Sequence, residues 1–277
     1  MKNWLYNKVV IVTGASSGIG KEITKILISK YNCKVIGVAR NENKLKDFQS
    51  SLEEKNKNNF EYCLADVSVK EDWQKIYNFV KNKNCSLLIN NAGTMLPFQK
   101  ADKVEDKEIE RIFNTNFFSC VNGYKTFCNE FRKNKNCGIV NIASVSAVCS
   151  LPGASYYSAS KSALTSFSKI VSSEEYKNFF IGTYLPGTTK TNLFKNKDNS
   201  KPVLDDKTEK IMDKFSTSSQ KMAKKIVNNI AKKKRYKIIG FDAKLLKFLN
   251  SLAPVKSSDL YLKIYKKSKL DSFKDTI

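Results

Sequence analysis

From Lys8 to Gly240, short runs of β-favouring apolar residues alternate with longer stretches whose apolar positions recur at helical spacing. The short runs fall at Lys8 to Thr13, Lys34 to Ala39, Phe60 to Ala65, Ser86 to Asn90, Gly138 to Ala143, Phe179 to Tyr184 and Tyr236 to Gly240. Between the first two, Ile19, Ile23, Ile26 and Leu27 form one stripe, which places a single helical face on a sheet. Strand and helix in strict alternation predict an α/β fold: a doubly wound, mostly parallel seven-stranded sheet with helices on both faces.

Two regions break the alternation. Residues from Leu193 to about Ser216 are rich in Lys, Asp and Asn around Pro202, as expected of a mobile substrate lid or a plain surface insertion. Beyond Gly240, Phe241, Leu245, Leu246, Phe248, Leu249 and Leu252 mark one face of a helix that Pro254 ends, followed by a Lys- and Tyr-rich stretch from Asp259 to Lys269. The chain therefore divides into a domain over 1–240 and a basic, amphipathic C-terminal helical extension over 241–277.

Composition narrows the chemistry. At 277 residues, 41% apolar and 27% charged, the chain suits one folded core with a tail. It has no apolar run long enough for a spanning helix, and its first strand begins too early for a signal peptide, so a cytoplasmic location is expected. The seven cysteines are scattered without paired spacing and read as reduced thiols. Histidine is absent, which excludes a Ser-His-Asp hydrolase, a His-bound zinc site and a His general base; no metal site is expected. Of the net charge of +23, residues 221 to 277 carry +12, so an anionic partner would meet the tail. No nucleic-acid motif accompanies that charge.

Directly after the first strand stands Thr13-Gly14-Ala15-Ser16-Ser17-Gly18-Ile19-Gly20. Glycines there let the backbone turn sharply beside a pyrophosphate, and a helix starting near Gly18 aims its unpaired N–H groups at the negative charge. Gly14, Ser16, Ser17, Gly18, Ile19 and Gly20 are thus candidate dinucleotide contacts. About 20 residues on, the second strand ends in Ala39-Arg40, where an acid would hold the ribose hydroxyls of NAD. Arg40 instead suits a 2′-phosphate, which favours NADP(H), while Glu42 keeps NAD(H) open.

Further on come Asn90-Asn91-Ala92-Gly93 closing a strand, Asn116 in a helix, Ser144 closing another strand, and Tyr157-Ser158-Ala159-Ser160-Lys161. Together with the glycine loop, in this order and spacing, these motifs closely resemble the classical short-chain dehydrogenase/reductase family over roughly residues 8 to 240. The resemblance implies a Rossmann-type fold and an oxidoreductase acting on a carbonyl or alcohol. It also implies cofactor contacts at Asp66 and Val67, at Asn91, Ala92 and Gly93, and at Pro186, Gly187, Thr189 and Thr191. Thr189 departs from the small aliphatic residue usual there, but a backbone contact tolerates the change. Lys161 is implied to anchor the nicotinamide ribose, and Asn116 to position a proton-relaying water.

The residues also argue for themselves. Tyr157 and Lys161, four apart, share one helical face. Lowering a tyrosine from about 10 to about 7 takes roughly 4 kcal/mol, the size of the attraction to one cation about 4 Å away at an effective dielectric near 20. Tyr157 is expected to protonate the carbonyl oxygen, with Ser144 holding that oxygen because a hydroxyl both donates and accepts. Tyr156 has Ser160 as its partner and is expected to pack or to wall the pocket.

Val148, Leu151, Leu193 and Phe194 favour a hydrophobic substrate, with a steroid-, acyl- or lipid-like ketone among the options. The tail stripe is expected to pack against its own domain or another subunit, which it serves alike, with an anionic membrane surface touched peripherally as the second option. By analogy with the family a homo-oligomer, dimer or tetramer, is expected. The competing reading is a nonenzymatic NADP-binding regulatory protein on the same fold.

Overall fold

All seven apolar runs become strands of one sheet, and their ends fall within two residues of the predicted ones. The structure is a computed structural model that describes residues 3–134, 136–149, 151–191, 193–194 and 202–276. In chain order its strands are β1 (Val9–Thr13), β2 (Lys34–Ala39), β3 (Phe60–Leu64), β4 (Cys85–Asn90), β5 (Gly138–Ile142), β6 (Phe180–Pro186), β7 (Thr189–Lys190), β8 (Thr217–Ser218) and β9 (Tyr236–Ile239). The helices are α1 (Gly18–Tyr31), α2 (Glu42–Ser50), α3 (Glu54–Lys57), α4 (Lys70–Val80), α5 (Asp106–Phe113), α6 (Ser119–Arg132), α7 (Ser155–Glu174), α8 (Asp206–Phe215), α9 (Ser219–Ala231), α10 (Phe241–Leu252) and α11 (Pro254–Ser268).

The large sheet runs β3-β2-β1-β4-β5-β6-β9 and every pairing in it is parallel. Its central strands are buried on both faces, and the two-residue pleat sorts their side chains into two cores. From β1, Val10 and Val12 face one core with Ile23 and Leu27 of α1, Phe48 of α2, and Met222 and Ile226 of α9. Ile11 faces the other, with Trp73 of α4, Phe127 and Phe131 of α6, and Val171 of α7. Each fully buried Ile or Leu contributes roughly 1.5–3 kcal/mol, so these two layers hold the sheet rigid. Strand order reverses between β1 and β4, which opens a crevice at the carboxyl ends of the strands.

Two features lie outside the predicted alternation. The first is a small parallel ladder of β7 on β8, which pins the segment after β6 to the start of α9. Two-residue strands carry no periodicity, so the sequence gives no sign of them. The second is a turn of order in the expected lid: Val203 and Leu204 are buried and α8 is a regular helix capped by Asp205. Residues 195–201 of that lid lie outside the described residues.

Pro254 ends one helix by starting the next, at the first turn of α11. The tail then folds back on its own domain. Tyr265, Leu270 and Phe273 join Met95, Leu96, Phe98 and Tyr157 in a third apolar cluster. Tyr265 and Phe273 stack with ring centroids 4.0 Å apart. Asp205 ties this tail to the lid, accepting from the Ser272 N–H at 2.9 Å and from its hydroxyl, while its own N–H donates to that hydroxyl at 2.7 Å. No helix among the described residues is long and apolar enough to cross a membrane.

Candidate active site

The candidate residues gather along the carboxyl edge of the sheet, on the segments that follow β1 to β6 and on the helices that face them. After β1, Gly14 turns with φ +67° and Gly18 with φ +54°, left-handed values that disfavour any side chain. A Cβ on Gly14 would lie 3.0 Å from the Ala92 Cα, so the loop rests directly on the end of β4. Thr13 fastens this contact: its hydroxyl accepts from the N–H groups of Asn91 at 2.9 Å and Ala92 at 3.0 Å. Asn91 returns a bond from its amide to the Thr13 carbonyl at 3.0 Å. The Asn91 side chain thus shapes the loop, and any nucleotide contact there falls to the backbone of Asn91, Ala92 and Gly93.

Ser17 occupies the N-cap of α1 without a side-chain capping bond, and the half-buried Ser16 precedes it in the loop. Ile19 and Gly20 begin the helix, with Ile19 leaning on the first core. Thr191 closes over Gly18, whose Cβ would meet it at 3.3 Å. Helix terminus, left-handed glycines and close backbone approach form a cradle that fits a dinucleotide pyrophosphate.

At the ends of β2 and β3, Arg40 Nη1 lies 3.6 Å from Asp66 Oδ2. The same Asp66 carboxylate accepts from the Ser68 N–H and hydroxyl, while Val67 is buried in the second core. Glu42 is engaged by Lys46 at 3.0 Å and by the Tyr62 hydroxyl at 3.3 Å, and these bonds hold its carboxyl below the usual range. After β6, the Gly187 N–H donates to the Ile239 carbonyl and the Thr188 N–H to Asp242 at 2.7 Å. Thr189 is buried, its hydroxyl donating to the Gly187 carbonyl at 2.9 Å. Asp242, from the tail, was not singled out in the sequence; nothing about one Asp at a helix start announces a partner 54 residues away.

The central group sits between these ends. α5 passes into α6 through a π-helical turn, Asn114–Phe118, which sets Asn116 facing inward and fully buried. Its amide accepts from the Thr94 N–H at 2.8 Å and donates to the Thr94 carbonyl at 2.9 Å and to Ser160 at 3.1 Å. With both ends of the amide engaged, Asn116 holds the end of β4 against α7. Ser160, inside the Tyr157-to-Lys161 turn, is the partner that spacing alone does not reveal.

Lys161 is buried and donates to the Ile142 carbonyl at 3.2 Å. A Cβ on Gly93 would lie 3.3 Å from Lys161 Nζ and 3.2 Å from Asn116 Oδ1, so the absence of a side chain there leaves both within reach of a ligand. Tyr157, one turn earlier on α7, meets Ser144 at the start of the short turn after β5. Ser146 donates its N–H to the Ser144 hydroxyl at 3.2 Å and so aims it. Tyr156 points elsewhere, its hydroxyl donating to the Ala101 carbonyl at 3.3 Å, consistent with a packing residue.

One expectation needs correction. Lys161 was expected to draw the Tyr157 phenol down toward neutrality. Burial instead raises the phenol above its ordinary value, with the Ser144 hydrogen bond opposing in part, and burial lowers the Lys161 ammonium. Both groups are deeply enclosed, and burial disfavours the charged form of each. At rest the phenol is an intact acid.

A sequence profile of the short chain dehydrogenase family matches residues 8–202. The diacetyl reductase [(S)-acetoin forming] of Staphylococcus epidermidis is 29% identical over 78% of this chain and 84% of its own length. The 11-beta-hydroxysteroid dehydrogenase 1A of Arabidopsis thaliana is 30% identical over 84% of this chain and 68% of its own. The short-chain dehydrogenase of Sphingobium yanoikuyae, solved in complex with NADPH, superposes with a TM-score of 0.74 at 20% identity, covering 91% of this chain and 96% of that one, a likeness of fold. A profile match over most of the chain agrees with motifs that converge on one sheet edge, and this chain belongs to the short-chain dehydrogenase family of oxidoreductases acting on CH–OH and C=O groups.

Proposed function

We propose that this chain is a reductase of a hydrophobic ketone, reversible toward the alcohol, in which bound NADP(H) supplies the hydride and Tyr157 the proton. The observation that carries the reading is the buried trio of Ser144, Tyr157 and Lys161 beside the glycine cradle. Ser144 holds the carbonyl oxygen, and its hydroxyl follows that oxygen from acceptor to donor. Tyr157, kept protonated by burial, releases its proton as the oxygen gains charge. Lys161, whose ammonium burial weakens, stands one turn away to steady the phenolate and to lie against a ribose beside Gly93. Asn116 acts by position, fixing Thr94 and Ser160 around them.

Apolar lining supports the substrate class: Met95, Leu96, Leu151, Leu193 and Phe194 surround Tyr157 in one cluster. NADP(H) is favoured over NAD(H) because Arg40 stands at the adenosine end, while the nearest acid after β2, Glu42, is already held by Lys46 and Tyr62. The ion pair to Asp66 keeps Arg40 at that rim. Phe118 and Ile170, exposed on helices beside the site, support a homo-oligomer, and seven buried free thiols support a reducing, cytoplasmic setting.

The test is NADPH oxidation across a panel of ketones, with NADH in parallel. Turnover that vanishes in Tyr157→Phe supports the assignment, and equal turnover in both refutes it. Arg40→Ala should raise the KM for NADPH about tenfold and leave that for NADH unchanged, since one charge-assisted bidentate contact is worth about 1.5–3 kcal/mol.

A further inference from the structure

The last two helices present a surface that the catalytic reading does not use. α11 buries one side, where Tyr261, Leu262 and Tyr265 join the cluster around Tyr157. Its other side and the outer stripe of α10 are bare: Phe241 is 83% exposed, Phe248 58%, Leu252 68% and Val255 73%. Positions 241, 248 and 252 fall on one helical face, so α10 shows solvent the side a globular helix would bury.

Charge frames this apolar face. Lys244, Lys247, Lys256, Lys263, Lys266 and Lys267 are all exposed on the same two helices. Of the two acids there, Asp242 is committed to the Thr188 N–H, which leaves Asp259. We propose that the α10–α11 pair docks the protein on an anionic phospholipid surface, with Phe248 and Leu252 seated among the headgroups and the lysines against the phosphates.

Three observations favour lipid over a second copy of the chain. A twofold contact through this face would bring the same lysines opposite one another, whereas anionic headgroups neutralise them. Lysine stems can lie along apolar surface with their ammonium groups in the polar layer, so charge and apolar stripe act together at an interface. Neither helix, of 12 and 15 residues, meets the length and hydropathy needed to cross a bilayer, so both lie in its plane. The inner side of α11 roofs the Tyr157 cluster, so docking would set the pocket next to a reservoir of lipid-soluble ketones; that consequence rests on the proposed activity, and the docking itself does not.

Co-sedimentation of the full chain with vesicles tests it, using phosphatidylcholine alone and phosphatidylcholine mixed with phosphatidylglycerol, at low and high salt. The protein should pellet with the mixed vesicles at low salt, be released at high salt, and stay soluble with phosphatidylcholine alone. The double variant Phe248→Ser/Leu252→Ser should lose binding at least about tenfold, and each Lys→Glu at 244 or 247 about fivefold or more. Both kinds of variant should reduce a water-soluble ketone as the wild type does. A protein that stays in the supernatant with mixed vesicles at low salt overturns the proposal, as does a double variant that binds undiminished. A face that pairs copies would show instead as a dimer lost in the double variant with no vesicle binding in either protein, which also overturns it. Vesicle binding by a wild type that reduces no ketone would leave the docking intact and remove the activity.

Discussion

Tyr124 and Tyr157 are both raised by burial within the same domain, yet their hydroxyls meet different partners. The Tyr124 hydroxyl donates to Glu175 Oε1 at 2.7 Å and accepts from Arg132 at 3.3 Å, and Arg132 Nε reaches both Glu175 oxygens at 3.1 Å. Burial raises that phenol and the neighbouring carboxylate raises it further, so its proton is locked between fixed partners. Tyr157 instead meets the Ser144 hydroxyl, whose hydrogen bond opposes the rise that burial causes, and Lys161 stands one helical turn on. Burial raises both phenols; the Glu175 carboxylate makes one a structural strut, while the other meets a hydroxyl that favours its charged form.

The largest effect that would break this contrast is in turnover. Tyr157→Phe should lower kcat for ketone reduction by about 10³-fold, equivalent to about 4 kcal/mol of barrier, with the fold intact by circular dichroism. Any residual activity near wild type would make the two tyrosines equivalent. Next, Glu175→Gln should lower unfolding free energy by about 1–3 kcal/mol in urea titration and leave kcat unchanged, because Glu175 is buried and accepts from four groups.

pH sharpens the same comparison with opposite signs. Burial works to raise the Glu175 carboxyl, and the bonds from Arg132, Tyr124 and Asn178 outweigh it, so its value is depressed. Its stability contribution is therefore present above about pH 4.3 and lost as pH falls through the depressed value, and the gap between wild type and Glu175→Gln should close only in acid below about pH 4. Tyr157 is raised, so its contribution is present below about pH 10 and lost as pH rises through the higher native value. Alkaline unfolding should thus begin later in Tyr157→Phe than in the wild type. The smallest effect is Tyr124→Phe, expected to cost about 1 kcal/mol of stability with turnover unchanged.

Much of this was legible in the sequence, and what was legible shares a cause. Strands buried on both faces write themselves as apolar runs, and the loop from Gly14 to Gly20 and the Tyr157–Lys161 turn are local, so spacing alone carries them. Contacts between distant residues carry no such signature: Asp205 to Ser272, Asp242 to Thr188, and β7 to β8 were all missed. The direction of the Tyr157 shift was missed for a different reason. Attraction to Lys161 follows from spacing, but desolvation depends on Leu96, Phe98 and a tail more than 100 residues away, which only the folded chain brings together. Of the three settings open to the tail, the structure fills one with the inner sides of α10 and α11 and leaves the outer stripe of α10 uncovered.

Thr13 has a consequence for how a nucleotide arrives. By riveting the two strand ends at the reversal of sheet order, its hydroxyl sets the width of that slot when the chain folds. A ligand then meets walls already in register and need not assemble them, so association should be rapid and the heat-capacity change on binding should match the surface of the nucleotide and its slot alone. Thr13→Val would remove both bonds and loosen the joint, converting a lock with fixed wards into one that must be closed around the key.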